Sequence, residues 1–390
     1  MKKVLIANRG EIAIRIARTC SDLGLRTVGI YSEDDANSLH LSKVDEAYKL
    51  EGKGAQAYLD IKEIITIAKE SKADAIHPGY GFLSENALFA SSVKRAKIKF
   101  IGPNEKTLKI FGDKTSAKEL ALSLNIPVIA GTNKKTSIRQ AQNFMKSLKK
   151  NSSVVIKAIS GGGGRGMRVV SKIDDLKESF DRAASEAKAS FDSPDLYLEE
   201  YLKNYRHIEF QIIGDGTGSV SHLHERECSI QRRHQKLIEI APSPSLNLEL
   251  KTKMVEASLA LAQTLKYEGL ATIEFLVNIE KNDFRFIECN PRLQVEHTVT
   301  ESVLSLDLVK AQIQVASGKA LKQIKLEQKI YQNLRGMQFN QESIWRLSIL
   351  KGMPTLEVEF LKNLICLLVQ VLELIVMVML VMKQALYLIR

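Results

Sequence analysis

The sequence predicts an α/β region followed by an α+β region: a doubly wound parallel sheet first, then mixed strands with a small lid. Three observations carry this. Short apolar runs alternate with amphipathic helical patterns through the first part of the chain. Four consecutive glycines, Gly161 to Gly164, stand between two strand-like segments. Two further alternating segments, joined by the polar turn Lys281-Asn282-Asp283, bring acidic residues to one place.

In the first region Lys3 to Ala7, Arg26 to Tyr31, Ala73 to His77 and Lys97 to Ile101 read as strands. Helical patterns fill the gaps, as in Glu11 to Leu23 and Ile61 to Glu70. Strand–helix–strand order of this kind argues a parallel sheet with helices on both faces. Arg9-Gly10-Glu11 opens the first helix, whose N-terminus attracts anions. The Gly-x-Gly-x-x-Gly pattern is missing there, so a dinucleotide site is unsupported.

Ser153 to Ala158 reads as a strand, followed by the loop Ser160-Gly161-Gly162-Gly163-Gly164-Arg165-Gly166-Met167 and a second apolar run, Arg168 to Val170. Consecutive glycines lose backbone entropy on folding and offer nothing to pack. What they gain is close approach of backbone N–H groups to an anion. Lys157 and Arg165 add positive charge on either side. A Gly-Lys-Ser/Thr order is lacking and the next element is a strand, which excludes a Walker A loop. A bare hairpin tip is the alternative; flanking strands and basic neighbours favour a phosphate flap.

Downstream, Glu225 to Lys236 is a charged run in which Gln231, Arg232, Arg233, His234 and Lys236 cluster. A solvated loop and a small-anion site both fit it. His207 alternates with apolar residues and by itself reads as a structural histidine.

The densest chemistry is Phe286 to His297, which holds two acids, two amides, an arginine and a histidine. Strand alternation puts Glu288 and Asn290 on one face. The partner strand Ala271 to Val277 brings Glu274 across to them. Carboxylates that close repel unless a cation lies between them, and oxygen donors suit a hard cation such as Mg²⁺.

These motifs resemble those of biotin carboxylase, an ATP-grasp enzyme. The likeness is carried by the glycine loop, Gln231-Arg232-Arg233-His234-Gln235-Lys236, Asn290-Pro291-Arg292-Leu293-Gln294-Val295-Glu296-His297, Ile6 to Ala13 and His77 to Asn86. It runs from Met1 to about Phe339. The resemblance implies an N-terminal domain over 1–112, an ATP-grasp domain over 113–335 with its lid at 127–200, and an aberrant tail over 336–390.

It further implies ATP- and bicarbonate-dependent carboxylation of biotin through carboxyphosphate. Lys114 and Lys157 would hold ATP phosphates under the flap formed by Gly161, Gly162, Gly163, Gly164, Arg165, Gly166 and Met167. Glu199 and Leu202 match the segment that meets the adenine, and His207, Gln231 and His234 match positions around the ribose and phosphates. Glu274 and Glu288, with Asn290 beside them, would carry Mg²⁺ or Mn²⁺. Lys236, Arg292, Gln294 and Val295 would hold bicarbonate, and Glu296 would be its general base. Implied partners are a biotin carboxyl carrier protein bearing the biotin, a carboxyltransferase, and a second copy in a homodimer. The final acceptor of the carboxyl group is left open. A catalytically dead ATP-binding or assembly subunit is one alternative. Another is a different ATP-grasp ligase of the carbamoyl-phosphate synthetase, D-alanine ligase or glycinamide ribotide synthetase kind.

Composition is that of an ordinary soluble protein of two or three domains, with 45% hydrophobic and 26% charged residues. The net charge of +11 comes from scattered lysines without interleaved aromatics, which argues against nucleic acid. Cys20, Cys228, Cys289 and Cys366 show no metal spacing and call for no disulfide. Met1-Lys2-Lys3 runs straight into the first strand, so the expectation is a cytoplasmic protein.

The tail departs from the family pattern. The resemblance implies Gln-Phe-Arg-Ile-Asn or similar, with an arginine that steadies bicarbonate and the biotin enolate. Here Gln338-Phe339 is followed by Asn340-Gln341-Glu342, and Arg346 sits in no matching motif. Leu364 to Met382 is almost wholly Leu, Val, Ile and Met. It reads as a membrane helix, a buried or interfacial helix, or the product of a slipped reading frame. The genetic code permits the last, which is favoured over a membrane anchor. Joining each codon's third base to the next codon's first two makes Met377-Val378 yield Gly and Met382-Lys383 yield Glu. The shifted frame then permits Tyr-Gly-Tyr-Val-Gly-Tyr-Glu-Thr-Ser, which resembles a biotin carboxylase segment. With an apolar tail in place of a packed sheet, weak turnover and aggregation are expected. A bicarbonate- and biotin-dependent ATPase rate near that of a full-length relative would show the tail to be harmless.

Overall fold

A computed structural model describes residues 1–132, 135–149, 152–159, 167–232 and 235–328, together with the backbone of 338–340. The glycine loop at Gly161 to Gly166, His234 and the apolar tail lie outside the described residues.

The N-terminal region alternates as expected. Its strands are β1 (Lys3–Ile6), β2 (Arg26–Tyr31), β3 (Glu46–Lys49), β4 (Ala75–His77) and β5 (Lys99–Phe100). Its helices are α1 (Gly10–Asp22), α2 (Gly54–Ala57), α3 (Ile61–Glu70), α4 (Ala87–Arg95) and α5 (Glu105–Gly112). The sheet is parallel throughout, in the order β3-β2-β1-β4-β5. Alternation along β1 sends Val4 and Ile6 to one core, with Ile12 and Ile16 of α1. Leu5 and Ala7 go to the other, with Ile64 of α3 and Phe89 of α4. Both faces are therefore covered, as a parallel sheet requires. Strands β4 and β5 start later than the apolar pattern suggested. Lys72 and Lys97 take left-handed φ values of 54° and 61°, ending α3 and α4 before the chain extends.

Helices α6 (Lys114–Ser123) and α7 (Ile138–Ser147) lead into a three-stranded antiparallel sheet. Its strands are β6 (Ser153–Ala158), β7 (Arg168–Val170) and, after α8 (Leu176–Phe191), β8 (Leu196–Tyr201), in the order β7-β6-β8. One face, with Val154, Ile156, Leu196 and Leu198, packs on α7 and α8. The other carries Lys157 and Glu199, since Val155 pairs with Glu199 and Lys157 with Tyr197. Gly131 pairs with Glu199 along the same edge. A Cβ at Gly131 would lie 2.7 Å from the Leu198 carbonyl oxygen, so only glycine fits so close a backbone approach.

The remaining strands form a six-stranded antiparallel sheet. They are β9 (Arg206–Asp215), β10 (Val220–Arg232), β11 (Gln235–Ala241), β12 (Glu268–Asn278), β13 (Asp283–Asn290) and β14 (Gln338–Asn340). The order is β13-β12-β9-β10-β11-β14. Helix α9 (Leu248–Thr264) packs Leu250, Met254 and Leu261 against Phe210 and Phe275. Helices α10 (His297–Leu304) and α11 (Leu308–Ala316) return to the first sheet. There Arg15 of α1 donates to Glu301 at 2.8 Å and to Asp307 at 2.9 Å. Among the described residues no helix is long and apolar enough to cross a membrane.

Histidines are buried where these layers meet. Burial pulls His77 down to about 3, opposed by Gln312 and aided by Arg15 and His297. Burial also takes His297 and His222 down to about 4. Above pH 6.5, their ordinary value, these rings are neutral whether the chain is folded or not. Below it the unfolded chain binds protons that the folded chain refuses, so stability falls with pH. The expected slope is about 1.4 kcal/mol per pH unit for each histidine. Urea unfolding at pH 7.5, 6.0 and 5.0 should show it, and His77→Gln should flatten the slope by one histidine's share. An unchanged slope would refute the assignment.

Candidate active site

The site grows from the register of the long antiparallel sheet. Glu288 of β13 stands opposite Glu274 of β12. Glu274 stands opposite Glu209 of β9, and Glu209 opposite Arg226 of β10. Three acids thus line one row across adjacent strands, where like charges repel. The hairpin read from sequence supplies two of them, with Asn278 and Asp283 closing its turn.

Lys236 of β11 answers that repulsion. Its Nζ lies 2.9 Å from Glu274 and 2.7 Å from Glu296, and also donates to Glu209. Burial works against the ammonium, but Glu209 and Glu274 outweigh it and hold Lys236 well above the ordinary lysine value. The same contacts act on the acids. Glu274 falls well below the carboxylate range, because Lys236 and His207 overcome its burial. Glu296 is likewise lowered by Lys236 and Arg226 against burial. Glu288 goes the other way, raised by burial and by the charge of Glu274. It makes no ion pair among the described residues. Lys114, exposed at the start of α6, pulls Glu288 back down in part.

His207 bridges two of these groups. Its Nε2 lies 2.7 Å from Glu274 and its Nδ1 lies 2.8 Å from Gln231 Nε2. A neutral ring with its proton on Nε2 satisfies both. Asn290 donates to Glu274 at 2.8 Å and accepts from Arg292 at 3.1 Å. Arg292 is also paired with Glu85, from the loop after β4. Gln294 donates to Glu274 and accepts from Arg226, both at 3.2 Å. Val295 and Met167 are half-buried, as is Leu202 just after β8. Gly161, Gly162, Gly163, Gly164, Arg165, Gly166 and His234 lie outside the described residues.

A second charged group sits on the three-stranded sheet β7-β6-β8. Glu199, 4% exposed, pairs with Lys157 through one oxygen and with Lys118 of α6 through the other. The two lysines outweigh burial and keep its carboxyl below the usual range.

Sequence reasoning passed over Glu209, Arg226, Glu85 and Lys118. A signal existed for two of them. Glu209 lies two residues from His207 on one strand face. Lys118 is one helical turn beyond Lys114. Arg226 was visible only as one charge in a charged run, yet it is fully buried. Its Nε donates to Glu209 at 2.5 Å. Its two Nη atoms reach Gln211 at 2.9 Å, Thr300 at 2.8 Å, Thr272 at 3.2 Å and Gln294 at 3.2 Å. All five N–H donors of the guanidinium are satisfied.

A pair of cross-strand acids, one of them raised and unpaired, fits a divalent cation with oxygen preference. The clusters His207–Glu209–Glu274 and Glu209–Cys228–Glu296 also bring donors within reach of one another, but with nitrogen or sulfur in the set. Lys236 already lies among the acids of the second cluster.

Residues 1–108 match the family "Biotin carboxylase, N-terminal domain", and residues 113–324 match "Carbamoyl-phosphate synthase L chain, ATP binding domain". The biotin carboxylase from Campylobacter jejuni, solved as a β,γ-ATP complex, superposes with a TM-score of 0.81 at 42% identity, over 87% of this chain and 74% of that one. The chain belongs to the biotin carboxylase family. Its fold and sequence place it among the ATP-grasp proteins. The biotin carboxylase domain dimer of Hydrogenobacter thermophilus 2-oxoglutarate carboxylase, bound to MgADP, ADP and bicarbonate, gives the same TM-score of 0.81 at 41% identity, over 87% of this chain and 73% of that one. Human mitochondrial pyruvate carboxylase is 49% identical over 332 residues, which is 84% of this chain. The Bacillus subtilis pyruvate carboxylase is 51% identical over 325 residues, 82% of this chain. The chain spans 28% of the length of each of these two relatives.

Within the biotin carboxylase frame, Arg226 ties β9, β10, β12 and α10 together. Arg226→Met is expected to destabilise the protein by ~3–5 kcal/mol, because it removes one of the two cations on the buried Glu209 carboxylate and leaves the buried polar groups of Gln211, Thr272, Gln294 and Thr300 without that donor. Urea denaturation at pH 7.5 measures it, and a loss below about 1 kcal/mol would disprove the tie.

Proposed function

We propose that this chain carries out the first half-reaction of a biotin-dependent carboxylase: MgATP and bicarbonate form carboxyphosphate, and biotin on a carrier protein takes the carboxyl group. The observation that supports this most directly is Glu296, an ionised, buried carboxylate held against Lys236 beside Arg292 and Gln294. That is a base next to an anion cradle.

In this reading Lys114 and Lys157 hold the nucleotide phosphates, and the segment at Glu199 and Leu202 meets the adenine. His207, Gln231 and His234 lie around the ribose and phosphates. Glu274 and Glu288, with Asn290 alongside, hold Mg²⁺ or Mn²⁺, which neutralises charge on the phosphates when bound. Lys236, Arg292, Gln294 and Val295 hold bicarbonate. Glu296 takes its proton as a bicarbonate oxygen attacks the terminal phosphorus and ADP departs. Carboxyphosphate then breaks down to CO₂ and phosphate; N1 of biotin gives its proton to that phosphate and captures the CO₂. The partners are a biotin carboxyl carrier protein, a carboxyltransferase and a second copy of the chain. A cytoplasmic setting suits them.

One observation favours a second reading, an ATP-binding subunit without turnover. Asn340 stands where the family pattern carries arginine, at the backbone position opposite Glu239 of β11. Bicarbonate- and biotin-stimulated ATP hydrolysis separates the two. The proposal expects stimulation, with Glu296→Gln lowering the stimulated rate by about 10²–10⁴-fold while MgATP affinity stays within about twofold. Metal-dependent ATP binding with no stimulation in the unaltered protein would instead establish the second reading.

A further inference from the structure

The Lys118–Glu199–Lys157 triad contains one lysine too many for a simple ion pair. Glu199 gives one carboxylate oxygen to each ammonium. The two lysines differ in access: the Lys118 side chain is 4% exposed, whereas that of Lys157 is 20% exposed. Lys118 is enclosed between α6 and the Tyr197 ring, whose centroid is 5.9 Å from its Nζ. Lys157 lies on β6, immediately before the loop that leads to the glycines. Glu199 itself cannot retreat. Its backbone is bridged to Gly131, and Glu200 N donates to the Ala130 carbonyl at 2.8 Å.

We propose that Lys118 is a positioning residue of the nucleotide site: it keeps Glu199 paired, so that Lys157 is able to leave that carboxylate for the phosphates of the nucleotide. The proposal rests on the reading of Lys157 as a phosphate-binding lysine. Its physical basis is the penalty on an unpartnered buried charge. With Lys118 present, Lys157 departs and Glu199 keeps a partner. Without Lys118, the same departure strands a carboxylate in a low-dielectric site, so Lys157 stays bound to it and phosphate affinity falls. A purely structural lysine would have no such link to phosphate.

The experiment measures dissociation constants of ATP with Mg²⁺ and of adenosine by isothermal titration calorimetry, which needs no turnover. The quantity compared is the ratio of the adenosine to the ATP constant, in which adenine contacts cancel. Lys118→Met is expected to lower that ratio about tenfold, equivalent to ~1.4 kcal/mol. Lys118→Arg, which keeps the charge, is expected to retain the original ratio. Lys118→Met combined with Glu199→Gln is expected to restore it, because a neutral amide no longer holds Lys157. An unchanged ratio in Lys118→Met, or no recovery in the double variant, overturns the proposal. Should Lys118→Met fail to fold, Glu199→Gln alone decides: the ratio must stay level or rise, and a tenfold fall refutes the mechanism. Lys157→Met separates the two layers. If it leaves the ratio unchanged, Lys157 does not bind phosphate, and the underlying reading fails together with the proposal.

Discussion

The site depends on one ammonium. Lys236 reaches from β11 into a space bordered by Glu209, Glu274 and Glu296, and it is the cation common to all three. Two unit charges about 4 Å apart attract by ~4 kcal/mol at an effective dielectric of 20. Three such attractions exceed what burial takes from a lysine. That is why Lys236 stays charged and why Glu274 and Glu296 stay ionised beside it. Without it, neighbouring strands would present a row of carboxylates with little to oppose their repulsion.

Arg226 supplies the fixed counterpart. Its guanidinium is sealed and fully bonded. Glu209 is therefore shared between an arginine that is locked in place and a lysine on the open side of the cluster. Two neighbours in the row differ: Glu274 is held well below the carboxylate range, while Glu288, one strand further out, is raised. The charge of Lys114, at the start of α6, offsets part of that rise. An antiparallel sheet is well suited to this, because cross-strand partners on one face place single residues from distant parts of the sequence side by side.

Much of this was legible beforehand. The strand–helix rhythm of the first region reports a parallel sheet because both faces must be buried, and Val4, Leu5 and Ile6 divide between two cores as that demands. The acidic hairpin was legible because alternation and a polar turn fix its register locally. Long-range pairing was not legible. Glu209 and Arg226 meet Glu274 and Gln294 only after β9, β10 and β12 are assembled, and no local pattern encodes which strands become neighbours. Lys118 was hidden for a different reason. A lysine on an amphipathic helix is ordinarily solvated, and only the arrival of β8 over α6 encloses it. Strand ends were overextended at β4 and β5 because apolar character continues through Ala73 and Ile98 while the backbone is still turning.

Gly131 has a bearing on how this protein can vary. It carries no chemistry of its own, yet it is bridged to Glu199, and its α-carbon lies so near the Leu198 carbonyl that a single methyl would wedge β8 away from the strand edge. Glu199 would shift with β8, and the spacing between two lysines on different layers would shift with it. A saturation library at this position should therefore look as intolerant as one at a reacting residue. Mutational sensitivity in this fold marks close backbone approaches as well as chemistry.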